Sequence, residues 1–257
     1  MRLIDRSAQT NRWRTVPSGE KLMVAGLALA TALVTHSVAV QLALLVLMPG
    51  LTLFGARVRL RDFLRAATVP LAFILTGLLA QLVTLRFAGG WPQLSLVSGE
   101  QLYQALFFLL RSLASVSALL FLALTTPLTR LIQWAEAKGL NAEIADIALL
   151  MFRMIWLLLD CLDRGETALK NRLGHTGFRR TLRSQALLLA ALLPRVFSRA
   201  RRMESGLAAR GYDGRLAFLA AEDRAAPARL AGIAAGFSLL FAAGLFTALP
   251  LATGFLA

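Results

Sequence analysis

Four long apolar runs are separated by basic or glycine-containing segments in this chain. The runs cover residues 22–54, 67–87, 102–125 and 230–256. About 20 apolar residues suffice for a helix to cross a hydrocarbon core of about 30 Å. The first run is too long for one crossing, and its most polar point is Thr35-His36-Ser37. The pattern therefore predicts two short helices with a turn at these three residues.

Residues 126–228 instead combine apolar and charged positions at helical spacing. Asp146, Arg153 and Asp160 recur every seven residues among apolar neighbours, as is typical of an amphipathic helix. A basic face on the following segment comprises Arg195, Arg199 and Arg202. Because charged faces are expensive in hydrocarbon, we predict two long helices at or below the cytoplasmic interface. Each would be up to about 45 Å long, at about 1.5 Å per residue.

Glycine and proline positions predict where these helices end. A shorter helix, over residues 127–138, should precede the two long ones and stop at Gly139. Gly174 should end the first long helix, because glycine readily adopts the left-handed conformation after a helix. Pro194 should kink or break the second long helix, since proline lacks the backbone N–H.

Composition and charge place this pattern in a membrane. Hydrophobic residues make up 57% of the chain, the mean hydropathy is +0.65 and the net charge is +14. In a soluble protein this charge would suggest nucleic-acid binding, but cytoplasmic segments of membrane proteins collect lysine and arginine. Of the 28 Lys and Arg, all but Arg86 and Arg111 fall in segments that we assign to the cytoplasm. The loop at 88–101 lacks basic residues and should face outward.

Arg111 is the one charge expected inside an apolar run. It should either face a bundle interior or partner, or reach the interface by snorkelling, and the sequence leaves both open. The first 21 residues are polar and basic, and we expect no cleavable signal peptide there.

The predicted fold class is an all-α membrane protein. It has about five transmembrane helices, and a cytoplasmic block of two long crossed amphipathic helices and one short helix. The segments are a cytoplasmic N-terminal segment 1–21, transmembrane helices one to four in 22–125, the cytoplasmic helices in 126–228, and a C-terminal transmembrane helix in 229–257.

Both long helices end in an arginine that is closely followed by glycine. The first end is Asn171-Arg172-Leu173-Gly174, and the second is Ala209-Arg210-Gly211. A cation near a helix C terminus followed by glycine is also an ordinary helix cap. The repetition favours a second interpretation, in which both arginines enter carboxylate-lined grooves on two copies of a soluble partner. The planar, permanently charged guanidinium suits such paired hydrogen bonds.

Motifs for catalysis or metal binding are absent from the sequence. It has no Walker A motif, so we expect no ATP hydrolysis by this chain. It has no H-E-x-x-H motif, and the single cysteine, Cys161, excludes a Cys-rich site. His36 and His175 are interpreted as polar turn residues, and we expect no metal site. The methionines at positions 151, 154 and 203 are interpreted as packing residues.

Three stretches carry a resemblance to a known family. They are Ile4-Asp5 with Asn11-Arg12-Trp13-Arg14 and Pro17-Ser18-Gly19-Glu20-Lys21, then Thr125-Thr126-Pro127-Leu128, and most specifically the run from Met203-Glu204-Ser205-Gly206 to Tyr212-Asp213-Gly214. The chain resembles the T component of energy-coupling factor (ECF) transporters, most closely that of the cobalt-uptake group.

The resemblance implies a non-catalytic, L-shaped scaffold whose coupling helices sit in grooves of two ABC-type ATPase subunits. It implies ATPase-binding residues at Arg172, Gly174, Ala209, Arg210 and Gly211. It also implies a substrate-binding membrane subunit, to which a small accessory membrane subunit can be added. ATP and magnesium would be bound by the partner ATPases, with no cofactor in this chain. The family's aromatic-Arg-aromatic step is replaced here by Phe152-Arg153-Met154.

Several alternatives stay open on the sequence alone. The cargo could be cobalt, nickel or a vitamin. A secondary carrier or channel would need ionisable residues at mid-membrane depth, where only Arg111 qualifies. A nucleic-acid or acidic-lipid binder would use the basic face of Arg195, Arg199 and Arg202. We expect the lipid bilayer, and no nucleic acid, among the partners.

Overall fold

The computed structural model describes residues 2–88, 91–96, 99–211, 231–242 and 244. These divide into two compact units, the first formed by residues up to Leu131 together with the described residues from 231 onward, and the second by residues 132–211. The helices of the first unit are α1 Arg2–Thr10, α2 Ser18–Val34, α3 Val38–Gly50, α4 Leu60–Leu82, α5 Gly99–Thr125 and α9 Ala231–Ala242. A 3-10 turn covers Arg12–Thr15, and a π-helical turn, Leu51–Gly55, extends α3.

The turn predicted at Thr35-His36-Ser37 is confirmed. It joins α2 to α3, and Gln41 closes it from the next helix. The Gln41 Nε2 donates to the carbonyl oxygens of Ala32 at 2.8 Å and Thr35 at 3.1 Å. The last carbonyls of a helix have no intrahelical partner, so this buried amide supplies the missing donors at the end of α2.

Three helical segments are long and apolar enough to cross a membrane. They are Val38–Gly55, Leu60–Gln81 and Leu102–Thr125. The α2 helix has 17 residues, and Ala231–Ala242 is also shorter than a full span. Five crossings were predicted, so length and composition support three of them within the described residues. The rest of the predicted C-terminal helix lies outside the described residues.

A short hairpin replaces the predicted end of one helix. The prediction extended a helix to Phe87, whereas α4 ends at Leu82 and strand β1, Val83–Ala88, pairs antiparallel with β2, Trp91–Leu96. The sequence between the strands is Gly89-Gly90, a pair typical of two-residue hairpin loops. The described chain is otherwise helical, as the predicted fold class requires.

The core of the first unit forms where α2, α3 and α5 meet. Small residues on α2 and α5 allow the helix backbones to approach closely, and they pack beside large side chains that are fully buried. The small members are Ala25, Ala28, Ala32, Ala114 and Ala118, and the large ones are Leu44, Met48 and Phe121. The Phe121 ring meets Trp13 edge-on, with ring centroids 5.9 Å apart.

The N-terminal segment packs into the first unit as well. Lys21 is only 2% exposed, and its Nζ donates to the Thr125 carbonyl at 3.0 Å. The Asn11 Nδ2 donates to the same carbonyl at 3.1 Å. A cation at a helix C terminus also complements the helix dipole. These two side chains therefore satisfy the end of α5, a role that sequence periodicity did not reveal.

The second unit is built on two long helices, α7 Ala142–Asn171 and α8 Phe178–Ala208. The shorter α6, Leu128–Ala137, leads into it and ends before Gly139, whose φ is +110°. The Asn141 Oδ1 accepts from the Glu143 N–H at 3.1 Å and so caps the start of α7. All three helices lie close to their predicted positions.

Pro194 does not break α8, so one of its two predicted effects is wrong, and a kink stays a prediction. The helix continues from Phe178 to Ala208 with Pro194 inside it. Proline removes one hydrogen bond, to the carbonyl four residues earlier. Both Pro194 and Ala190 are exposed, so water can satisfy that carbonyl.

Candidate functional site

The first arginine-bearing end, the first tip, comprises Arg172, Leu173 and Gly174 after α7. The Gly174 N–H donates to the Leu169 carbonyl at 2.8 Å, and the Leu173 N–H donates to the Lys170 carbonyl at 3.2 Å. These two bonds form a Schellman motif. The left-handed residue in it is Leu173, with φ +55°, and not the predicted Gly174.

Position 174 favours glycine for a different structural reason. A Cβ at this position would lie 3.0 Å from the Leu169 carbonyl oxygen and close to the Leu169 side chain. Gly174 is also buried. The glycine therefore allows the backbone to pass close to the last turn of α7, while Leu173 carries the unusual backbone conformation.

The second tip comprises Ala209, Arg210 and Gly211 after α8. The Arg210 N–H donates to the Leu207 carbonyl at 3.0 Å, and the Gly211 N–H donates to the Ala208 carbonyl at 3.1 Å. Gly211 has φ +70°, a conformation that glycine adopts without steric cost.

The two tips share one backbone feature that the sequence conceals. In each, the arginine directly precedes the left-handed residue, Leu173 at the first tip and Gly211 at the second. An alignment by glycine places the first arginine one residue out of step, whereas an alignment on the left-handed residue brings Arg172 and Arg210 together. Arg172 directly follows α7, while Ala209 separates Arg210 from the end of α8.

Both arginine side chains are exposed. Among the residues that the structure describes, neither guanidinium has a hydrogen-bond or ion-pair partner. Their charge is thus available to a ligand or to another protein, and Ala209 and Gly211 beside Arg210 are exposed too.

The α7 and α8 helices run antiparallel. Gly165 lies against Leu188, and further along the pair Met154 and Leu150 share a cleft with Met203 and Leu207. Earlier residues of α7 therefore contact later residues of α8. Arg172 lies at one end of this pair and Arg210 at the other, separated by the length of α8, about 45 Å at about 1.5 Å per residue. One small groove cannot receive both.

The predicted basic face lines a cleft between the two helices. Arg195, Arg199 and Arg202 of α8 share this cleft, of about 410 Å³, with Asp160 and Arg164 of α7. Cys161 also lines it. Four guanidinium groups and one carboxylate leave the cleft strongly basic.

The remaining sequence candidates have structural surroundings of their own. Met154 and Met203 line the apolar cleft between α7 and α8, while Met151 is exposed. His36 stacks on Phe107 with the rings nearly parallel and 6.2 Å apart. His175 follows the first tip. No group of three metal-ligating side chains occurs within the described ranges.

Arg111 and Arg153 remain without an assigned role. The Arg111 side chain is half-buried in α5, which fits both packing in a bundle and snorkelling. Arg153 is exposed on α7, and Phe152 beside it packs edge-on against Trp156.

Sequence reasoning missed Leu173, Gly165 and Lys21. An isolated glycine inside a helical pattern, such as Gly165, is a usable signal for close packing. A leucine in the left-handed region has no comparable sequence signature.

Comparison with known proteins agrees with this architecture. The family model described as CbiQ, cobalt transport protein, matches residues 10–218. The cobalt transport protein CbiQ of Rhodobacter capsulatus is 36% identical over 243 residues, which cover 94% of this chain and 97% of the relative. The CbiQ of Salmonella typhimurium is 25% identical over 228 residues, covering 82% of this chain and 97% of that protein.

A third relative is a longer polypeptide. The putative fused cobalt transport protein CbiMQ of Methanocorpusculum labreanum is 25% identical over 195 residues, which cover 72% of this chain and 32% of the relative. With its apolar helices, this chain is a multi-pass membrane protein of cobalt transport. The matches over most of its length show that the chain belongs to the CbiQ family of cobalt transport proteins, the T components of ECF transporters.

Proposed function

We propose that this chain is the non-catalytic coupling subunit of an ATP-driven, ECF-type cobalt uptake transporter. It links two ABC-type ATPase subunits to a substrate-binding membrane subunit. The chain resides in the cytoplasmic membrane of a bacterium, with its N terminus and the unit of α7 and α8 on the cytoplasmic side. The basic segments around these elements support this orientation, since lysine and arginine collect on that side.

The observation that carries the proposal is the pair of matching tips. Arg172 and Arg210 are exposed, each directly precedes a left-handed residue, and they lie at opposite ends of an antiparallel helix pair. Two copies of one partner can therefore dock at two separate places, each with an arginine directly before a left-handed residue. Carboxylates in the partner's grooves would make charge-assisted hydrogen bonds to each guanidinium.

Coupling then proceeds by rigid-body motion. ATP binding brings the two ATPases together, and their grooves carry Arg172 and Arg210 with them. The crossing angle of α7 and α8 changes in response. The exposed apolar residues of these helices, among them Ile147 and Leu189, support the substrate-binding subunit, which releases its cargo inward. ATP and magnesium stay with the ATPases.

The cargo and the membrane partner follow from the relatives. Proteins named for cobalt transport are similar to this chain over most of its length. In the fused CbiMQ relative, this chain matches only 32% of the polypeptide, so that protein joins a second component to a CbiQ-like part. A separate membrane subunit of the same kind supplies the substrate site here.

Charge reversal at the tips tests the proposal. The tagged chain is co-expressed with its ATPase and membrane partners and purified in detergent. We expect Arg210→Glu to abolish recovery of the ATPase, because a carboxylate would then face carboxylates, while the chain stays in the membrane fraction. Arg172→Glu should reduce recovery too, and cobalt uptake by the cells should fall in parallel.

Arg201→Glu is the matched control, since Arg201 is exposed on α8 and belongs neither to a tip nor to the basic cleft. It should leave recovery unchanged. Purification of the complete complex with both tip variants would refute the proposed role of the arginines.

A further inference from the structure

Leu173 combines two features that seldom occur together. Its φ of +55° lies in the left-handed region, where the Cβ of an L-residue crowds the following carbonyl oxygen. Its side chain is also 67% exposed. Glycine or asparagine would occupy this position at lower steric cost.

The two hydrogen bonds of the Schellman motif hold this conformation, but glycine at position 173 would form them with less crowding. Only a third of the Leu173 surface is covered, so the side chain gains little from packing within the described residues. The equivalent residue of the second tip is Gly211, which has no side chain to crowd. Residues held in sparsely populated backbone regions cluster at binding sites and switches.

We propose that Leu173 is a docking residue, which enters an apolar recess beside the groove that receives Arg172 on the ATPase subunit. This inference rests on the proposed function, and it adds a contact that the arginines alone do not supply. Leu173 directly follows Arg172 in the chain, so one docking event buries both side chains. At the second tip the left-handed residue is Gly211, which has no side chain, so the first tip holds its ATPase more tightly.

Leu173→Gly separates a docking role from a purely structural one. A structural role predicts that the variant complex is as stable as the wild type or more so, since the steric cost of the left-handed residue is removed. A docking role predicts that the isolated chain keeps or raises its melting temperature while its affinity for the ATPase falls. The affinity for the ATPase then falls without a fall in the melting temperature.

The measurement uses the full chain with its membrane partner in lipid nanodiscs, titrated with purified ATPase subunit and a non-hydrolysable ATP analogue. We expect Leu173→Gly to weaken association at the tighter site about tenfold, a loss equivalent to about 1.4 kcal/mol. Leu173→Met keeps an apolar side chain and should bind within about twofold of the wild type, because it is nearly isosteric.

Leu173→Asn covers the case in which the glycine variant is poorly folded, because asparagine tolerates the left-handed region and is polar. It should weaken binding as much as Leu173→Gly. The matched control is Leu187→Ala, which truncates an exposed leucine of α8 away from either tip and should leave binding unchanged.

The outcomes distinguish this inference from the function on which it rests. Wild-type affinity in Leu173→Gly or Leu173→Asn would overturn the docking role of Leu173. If Arg172→Glu still weakens binding in the same assay, the proposed coupling function stands without it. If the charge reversals at both tips have no effect either, the coupling function fails as well.

Discussion

The two compact units bury their apolar residues to very different degrees. In the first unit, Leu44, Met48 and Phe121 have almost no exposed surface, and polar groups such as Lys21 and Gln41 are buried with hydrogen-bond partners. In the second unit, the buried apolar residues within the described chain are Ala145, Leu149 and Leu188. The α7 and α8 helices are thus held together by a narrow contact.

Exposed apolar residues occur in both units, but their settings differ. Val69 and Phe73 of the first unit lie on a segment that can cross the membrane, where lipid is a suitable neighbour. Ile147 and Leu189 of the second unit lie on helices interrupted by charges. A large exposed apolar surface on such helices is typical of an interaction site. The comparison indicates a self-contained first unit and a second unit whose apolar faces are available to partners.

The largest effect should come from the core of the first unit. We expect Phe121→Ala to lower the free energy of unfolding by about 3 to 5 kcal/mol, because the substitution leaves a cavity and removes the contact with Trp13. Thermal unfolding of the detergent-purified chain measures this loss of stability. Phe73→Ala is the control, since Phe73 is 80% exposed, and an equal loss in that variant would contradict the difference in burial.

An intermediate effect is expected where the helices of the second unit cross. A side chain at Gly165 would overlap the Leu188 side chain, so Gly165→Leu should separate α7 and α8 and cost about 1 to 3 kcal/mol. Limited proteolysis should then cut the second unit faster and leave the first unit unaffected.

The double variant Gly165→Leu with Leu188→Ala should recover part of this loss, because the truncation makes room for the new side chain. Gly206→Leu is the control, since nothing lies within 4 Å of a Cβ at that glycine. Additive losses in the double variant would show that the two residues do not meet.

The smallest effect is expected from a surface ion pair of the second unit. The Lys170 Nζ lies 3.0 Å from a Glu166 carboxylate oxygen, and both side chains are exposed. Pairs of this kind stabilise a helix by about 0.2 to 0.5 kcal/mol. Lys170→Ala should therefore shift thermal unfolding only slightly, and high salt should abolish the difference. A loss above about 1 kcal/mol, outside the usual range for exposed pairs, would mean that this ion pair contributes more to the second unit than its exposure indicates.

Local pattern was sufficient to predict most helices. The turn at Thr35-His36-Ser37 and the two long amphipathic helices follow from the length and periodicity of apolar positions, and both are found in the structure. The hairpin after α4 was not predicted, because periodicity alone does not distinguish a short apolar strand from the end of an apolar helix. Pro194 does not end α8, because an exposed helix tolerates one missing hydrogen bond.

By itself, the sequence determined the helical segments and the presence of an arginine at each of two helix ends, because helical periodicity and charge are local properties. Tertiary structure alone decided that Gly165 meets Leu188 and that Lys21 is buried at the end of α5. Each of these depends on which atoms meet across the fold. A contact between two helices and the burial of a side chain are set by neighbours distant in the chain, which no local pattern encodes. The left-handed Leu173 is different, because hydrogen bonds to residues of the same helix end hold it, but leucine is not a residue that signals this conformation.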